Sequence, residues 1–371
     1  MLPARCAIAP LPSSLFLLPS SLLNMNFGSD NVTGVAPEIM AALVAANQGA
    51  AIPYGDDEST HRLQEIFSQL FETEVVIFPV VTGSAANSLA LSVITPSFGA
   101  IYCHEDAHIN QDECGAPEFY TGGAKLVTLK GEAGKISATD LAQRLATAGT
   151  GVVHRVQPAA VSITQATEAG TVYSLEEIGA ITQVTHSHNL KLHVDGARFA
   201  NALVTLGCTP AEATWKAGVD VLSFGATKNG AMAAEAVIFF QPELAKTFGY
   251  RRKRSGHLLS KMRFLSTQLE TYIKEDLWLK NATHANLMAN RLATELAAIP
   301  GLELRYPVAA NEIFIYLPET VISELFAEGF KFYRWEPGGD LSLVRLVTAF
   351  DTEPEAIAAF VETVKSCLIV S

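Results

Sequence analysis

Three observations predict an α/β protein built on a mainly parallel sheet covered on both faces. Short apolar runs of strand length recur along the chain, helix-length segments separate several of them, and residues with chemically useful side chains collect where the runs end. At 371 residues the chain exceeds the usual limit of one core. A large domain over 25–250 and a smaller α+β domain over 251–371 are therefore expected.

Residues 1–24 stand apart. They carry one charge, Arg5, and an apolar Leu/Pro/Ser run over 7–23 that resembles a weak secretory signal. Prolines at 10, 12 and 19 interrupt the run, no Ala-x-Ala site follows it, and Met25 offers a second start. A disordered extension or an upstream start is the expectation. Beyond it, 36–47 and 60–72 read as amphipathic helices, the second introduced by Ser59 and Thr60 as N-caps. Strand-like runs follow at 75–80, 100–103, 125–129, 159–163, 190–194, 219–224 and 236–240, with helix-length segments at 85–94, 138–148 and 175–188 between some of them. After residue 241 longer helices, 258–275 and 284–298, lead into the smaller domain.

Composition narrows the function. With 49% hydrophobic and 17% charged residues the chain can bury a large core and an oligomer interface as well. A net charge of −12 argues against a nucleic-acid or anionic-membrane surface, so an anionic ligand needs a local site. Beyond the N-terminus no stretch reaches the ~18 apolar residues of a membrane span. Cys6, Cys103, Cys114, Cys208 and Cys367 show no CxxC spacing, which points to reduced thiols in the cytoplasm and away from disulfides or a zinc site.

In open α/β sheets ligands bind beyond the carboxyl ends of the strands. Asp195 follows one apolar run and Lys228 the next. A buried carboxylate needs a cationic partner or N–H donors, and a lysine among small residues at a strand end is either ion-paired or used covalently. Together they are the layout of a pyridoxal 5'-phosphate (PLP) site, with the carboxylate holding the ring nitrogen protonated and the lysine forming the Schiff base. Taken singly, Asp195 could be a helix cap or pair with Arg198, Lys228 could be a surface lysine, and Arg198 could instead clamp a substrate carboxylate. Thr82-Gly83-Ser84-Ala85-Ala86-Asn87 opens a helix after a strand; it offers N–H groups, a hydroxyl and a helix dipole to a phosphate, or is an ordinary Ser cap. Thr227 could add a second hydroxyl.

On Ser29-Asp30-Asn31-Val32-Thr33, Tyr54-Gly55-Asp56-Asp57, the Gly83-Ser84 segment, Ala107-His108, Asp195-Gly196-Ala197-Arg198, Thr227-Lys228 and Val344-Arg345-Leu346-Val347, the chain resembles the PLP-dependent L-threonine aldolases, of the β-eliminating lyase group. The stretches Asp112-Glu113-Cys114-Gly115-Ala116-Pro117-Glu118-Phe119 and Thr227-Lys228-Asn229-Gly230 are similar to the bacterial low-specificity branch. The resemblance implies a type I fold with a seven-stranded sheet, cleavage of L-threonine or L-allo-threonine to glycine and acetaldehyde, and a homotetramer of two dimers. It implies Lys228 as the Schiff-base lysine, Asp195 as the pyridinium partner and His108 as the ring-stacking histidine. Gly83, Ser84 and Thr227 would contact the phosphate, and Ser29, Arg198 and Arg345 the substrate carboxylate. Tyr54 and Lys253 would come from a neighbouring subunit. Without the resemblance His108 reads as a solvated loop residue. Where many relatives have Thr-His this chain has Thr167-Glu168, so Glu168 could serve as base or relax diastereomer selectivity, with His108 and a bound water as the other contenders for the base. A different β-eliminating lyase, an aldolase for bulkier β-hydroxy amino acids, or a silent PLP-fold binding subunit are the competing readings.

Overall fold

The computed structural model describes residues 25–370. The expectation for 1–24 falls outside them. Each of the seven apolar runs supplies one strand: β1 (Val76–Val80), β2 (Gly99–His104), β3 (Lys125–Leu129), β4 (Gln157–Thr164), β5 (Lys191–Gly196), β6 (Val221–Gly225) and β7 (Glu235–Phe239). They form one sheet in the order β1-β7-β6-β5-β4-β2-β3. β7 runs antiparallel to both of its neighbours, and the remaining pairs are parallel. The connection 226–234 dictates that exception, because a parallel crossover takes a dozen residues or more.

The interior strands β2, β6 and β7 are buried along their whole lengths, as a sheet covered on both faces requires. Aromatic rings fill one face: Phe224 packs edge-on against Phe67 at 5.3 Å between centroids and lies 5.7 Å from Trp278. This core extends past residue 250 to take in Met262, Leu265, Leu269, Tyr272 and Trp278. The helix expected at 60–72 runs Glu58–Leu70, and its cap is Asp57, which accepts a hydrogen bond from Thr60 N at 2.9 Å. Asp is as good a cap as Ser, and it stands where the chain leaves the Tyr54-Gly55 turn.

A second, antiparallel sheet follows, from β8 (Glu303–Leu304), β9 (Glu312–Pro318), β10 (Tyr333–Glu336) and β11 (Leu341–Val347), in the order β10-β11-β9-β8. Its apolar face packs under the helices Leu277–Ala297, Glu319–Ala327 and Pro354–Val370, and Phe27 from the start of the described chain joins that core.

Candidate active site

The carboxyl ends of β1, β2, β4, β5 and β6 lie on one side of the large sheet and deliver their loops to one place. A cavity of about 350 Å³ there is lined by residues including Gly83, Ser84, His108, Glu168, Asp195 and Lys228. Two glycines let the last two strands approach. A Cβ on Gly196 would sit 2.6 Å from Ser223 O, and one on Gly225 would sit 2.4 Å from Ala197 O, so any side chain would push the Asp195 and Lys228 loops apart.

Lys228 lies in the 3-10 turn Thr227–Asn229 that leaves β6. Asn229 anchors this turn by donating to Tyr272 Oη at 2.7 Å and to Trp278 O at 2.8 Å. The amine of Lys228 has no hydrogen-bond or ion-pair partner among the described residues, although it lines the cavity. Asp195, 4% exposed, accepts from Asn87 Nδ2 at 2.7 Å and from Ala197 N at 3.0 Å. Arg198 does not pair with it.

At the other end of the cavity Thr82 caps the helix Gly83–Ile94, accepting from Ala85 N at 3.2 Å. The cap is therefore Thr82, one residue before Gly83-Ser84, and both of those residues line the cavity. A Cβ on Gly83 would meet nothing within 4 Å, so this entrance is open. The Thr227 hydroxyl accepts from Ala234 N at 3.1 Å. Nearby Glu235 is buried, and burial pushes its carboxyl up to about 7.

His108 begins the short helix after β2, and its Nδ1 lies 2.8 Å from Glu113 Oε1. That bond raises its pKa against the opposing effect of burial. Glu168, on the loop after β4, accepts from His108 N at 2.8 Å and Thr164 Oγ1 at 2.7 Å through Oε1, while Oε2 is shielded and has no partner among the described residues. Burial pushes this carboxyl up to about 7.

A second cavity, about 760 Å³, adjoins the first across His108, Glu168, Arg198 and Lys228, and reaches Ser29, Glu312 and Arg345. Ser29 caps the turn Asp30–Val32. Arg198 forms a fork to Asp30, with Nε at 2.7 Å and Nη2 at 3.0 Å, and its Nη1 lies 3.2 Å from Glu312. The fork expected to face a substrate carboxylate is thus engaged by the protein's own carboxylates. Arg345 is less tightly held: Nη2 donates to Gly28 O at 3.3 Å, Nη1 lies 3.7 Å from Glu312, Nε is buried without a partner among the described residues, and the guanidinium lies 4.7 Å from the Trp335 ring centroid. Tyr54 and Lys253 line neither cavity. They touch each other, the Lys253 amine 4.7 Å above the ring, with Tyr54 48% exposed.

Sequence reasoning missed Asn87, Glu113, Glu235, Asp30 and Glu312. Asn87, Glu113 and Asp30 lay inside quoted segments, but nothing in their sequence neighbourhood, polar around Glu113, marked them as site residues. Among the described residues no three His, Cys, Asp or Glu side chains are grouped to hold a metal ion.

A sequence profile of the β-eliminating lyases matches residues 26–320. The low specificity L-threonine aldolase of Pseudomonas sp. (strain NCIMB 10558) is 43% identical over 345 residues, covering 93% of this chain and 98% of its own. That of Pseudomonas aeruginosa is 45% identical over 334 residues, covering 89% and 94%. The solved threonine aldolase of Leishmania major superposes with a TM-score of 0.87 at 30% identity, covering 93% of this chain and 99% of that one. With strand-end chemistry, sheet order and relatives in agreement over nearly the whole described chain, the protein belongs to the β-eliminating lyase family.

Proposed function

We propose that this protein is a PLP-dependent lyase that cleaves L-threonine and L-allo-threonine to glycine and acetaldehyde. The observation that carries the reading is the convergence of an unpaired lysine, a buried hydrogen-bonded carboxylate and an open helix N-terminus on one cavity, in a chain 43–45% identical to low specificity L-threonine aldolases.

The residues fit the cofactor. Gly83 and Ser84 offer free N–H groups at the positive end of a twelve-residue helix, and the bare Gly83 Cα leaves room for a phosphate with Thr227 beside it. Asp195 would hold the ring nitrogen, His108 would cover a ring face, and Lys228 would hold the cofactor covalently. PLP, once bound, supplies the sink for the electron pair released at Cα. Arg345, with Ser29, holds the substrate carboxylate. Arg198 shapes that subsite through Asp30 and Glu312. Glu168 Oε2, unpaired and near neutral pKa, takes the β-hydroxyl proton as the Cα–Cβ bond breaks. Acetaldehyde departs, and a proton delivered to Cα gives glycine.

Tyr54 and Lys253, remote from their own chain's cavities, complete the site of a second copy. Exposed Met40, Val44, Ile52 and Tyr250 supply apolar surface for that contact, and two such dimers form the tetramer. Among the described residues the cysteines are free thiols, and no helix is long and apolar enough to cross a membrane, which supports a cytoplasmic enzyme. Acetaldehyde release from the four threonine stereoisomers tests the reaction. Cleavage of L-threonine and L-allo-threonine is expected; ammonia without acetaldehyde would make the protein a different lyase. Mixing Lys228→Ala protein with Lys253→Ala protein tests the shared site: hybrids regain activity only if the two residues serve sites in different pairings.

A further inference from the structure

We infer that Glu113 and Asn87 are positioning residues, Glu113 fixing the tautomer and orientation of His108 and Asn87 tying Glu113 to Asp195, so that imidazole and carboxylate form one hydrogen-bonded unit. The inference rests on the reading of His108 and Asp195 as cofactor contacts.

Asn87 comes from the helix Gly83–Ile94 and Glu113 from the loop entering the helix Ala116–Thr121; these two helices pack together. Both side chains are buried, at 2% and 5% exposure. The two hydrogens of Asn87 Nδ2 go to two carboxylates, Glu113 Oε1 at 2.8 Å and Asp195 Oδ2 at 2.7 Å. Turning the amide over would set Oδ1 against both, so the carboxylates fix its orientation and leave Oδ1 buried without a partner. Glu113 Oε1, already an acceptor from Asn87, also meets His108 Nδ1 at 2.8 Å, and that contact places a hydrogen on Nδ1. Nε2 then has no protein partner among the described residues and is the ring nitrogen left to donate or accept in the cavities His108 lines. Ser88 Oγ, at 3.4 Å from Glu113 Oε2, braces the other oxygen.

The charged and titratable groups around His108 are Glu113, Asp195 and Lys228, the Glu168 carboxylate on its backbone N–H, and Asp106 and Asp112 at the wall of the larger cavity. Among the described residues only Glu113 makes a hydrogen bond to the ring, and that bond keeps His108 protonated to higher pH than an unpaired histidine.

The test is NMR titration of histidine-labelled holoenzyme. In Glu113→Gln the His108 midpoint is expected to fall by about one unit or more, a tenfold loss in the ratio of protonated to neutral imidazole at a given pH. The limb of the kcat/KM profile that follows His108 should move with it. In Asn87→Ala, which keeps Glu113, the His108 midpoint should move less, while the absorbance of bound PLP changes its pH dependence because Asp195 loses a donor. Glu113→Asp covers the case in which Glu113→Gln does not fold, with a smaller drop expected. An unchanged His108 midpoint in either folded Glu113 variant overturns the inference. A protein with no PLP absorbance at all would instead overturn the cofactor reading on which the inference rests, a result distinct from an unchanged His108 midpoint in holoenzyme.

Discussion

Replacing Glu168 by Gln separates two consequences of one buried carboxyl. The substitution keeps shape and the acceptor for His108 N and Thr164, but removes the proton acceptor at Oε2. Burial raises the pKa from 4.5 to about 7, so ionising this group in the fold costs on the order of 3 kcal/mol. A folded pKa above the unfolded one gives stability that is fully present below pH 4.5 and fades as pH rises through 7. Glu168→Gln should therefore melt like the wild type near pH 5 and above it near pH 8.5. Catalysis should move the other way, kcat for L-threonine falling about 10²- to 10⁴-fold as expected for a lost general base. Acetaldehyde release across pH reads the second effect and thermal melts the first. A kcat within a few-fold of wild type, with the acidic limb of the pH profile unchanged, would refute the assignment of Glu168 as base and return the role to His108 or water.

Two further outcomes follow from the same geometry. Arg345→Gln removes a partly unpaired guanidinium at the proposed carboxylate subsite and should raise KM for L-threonine about 10- to 100-fold with a smaller change in kcat; steady-state kinetics with an unchanged KM would contradict that role. Glu235→Gln mimics the neutral acid that burial favours below pH 7, so melts should show added stability above pH 7 and none near pH 5. PLP affinity measured on dialysis should hold within a few-fold in that variant, and a large loss would mean that the ionised carboxylate is required.

The sheet was legible because each strand carries a short, largely apolar stretch, and the site because its residues lie at or just beyond the ends of those stretches. Asp195 and Lys228 could be read from neighbours in sequence. Asn87 and Glu113 could not: their meaning lies in contacts between segments far apart in the chain, and a buried carboxylate has no local pattern. The Asp30 fork on Arg198 spans 168 positions, so no local pattern announced it. Direction at β7 was recoverable, since the short connection after Lys228 leaves no room for a crossover helix. The fork and the Glu113 bridge needed coordinates.

Borohydride reduction of the purified holoenzyme followed by peptide mass mapping tests the central claim most directly. Reduction should fix the cofactor on Lys228 and abolish acetaldehyde release from L-threonine. A label on another lysine, or a Lys228→Ala protein that cleaves L-threonine at the wild-type rate, would contradict it.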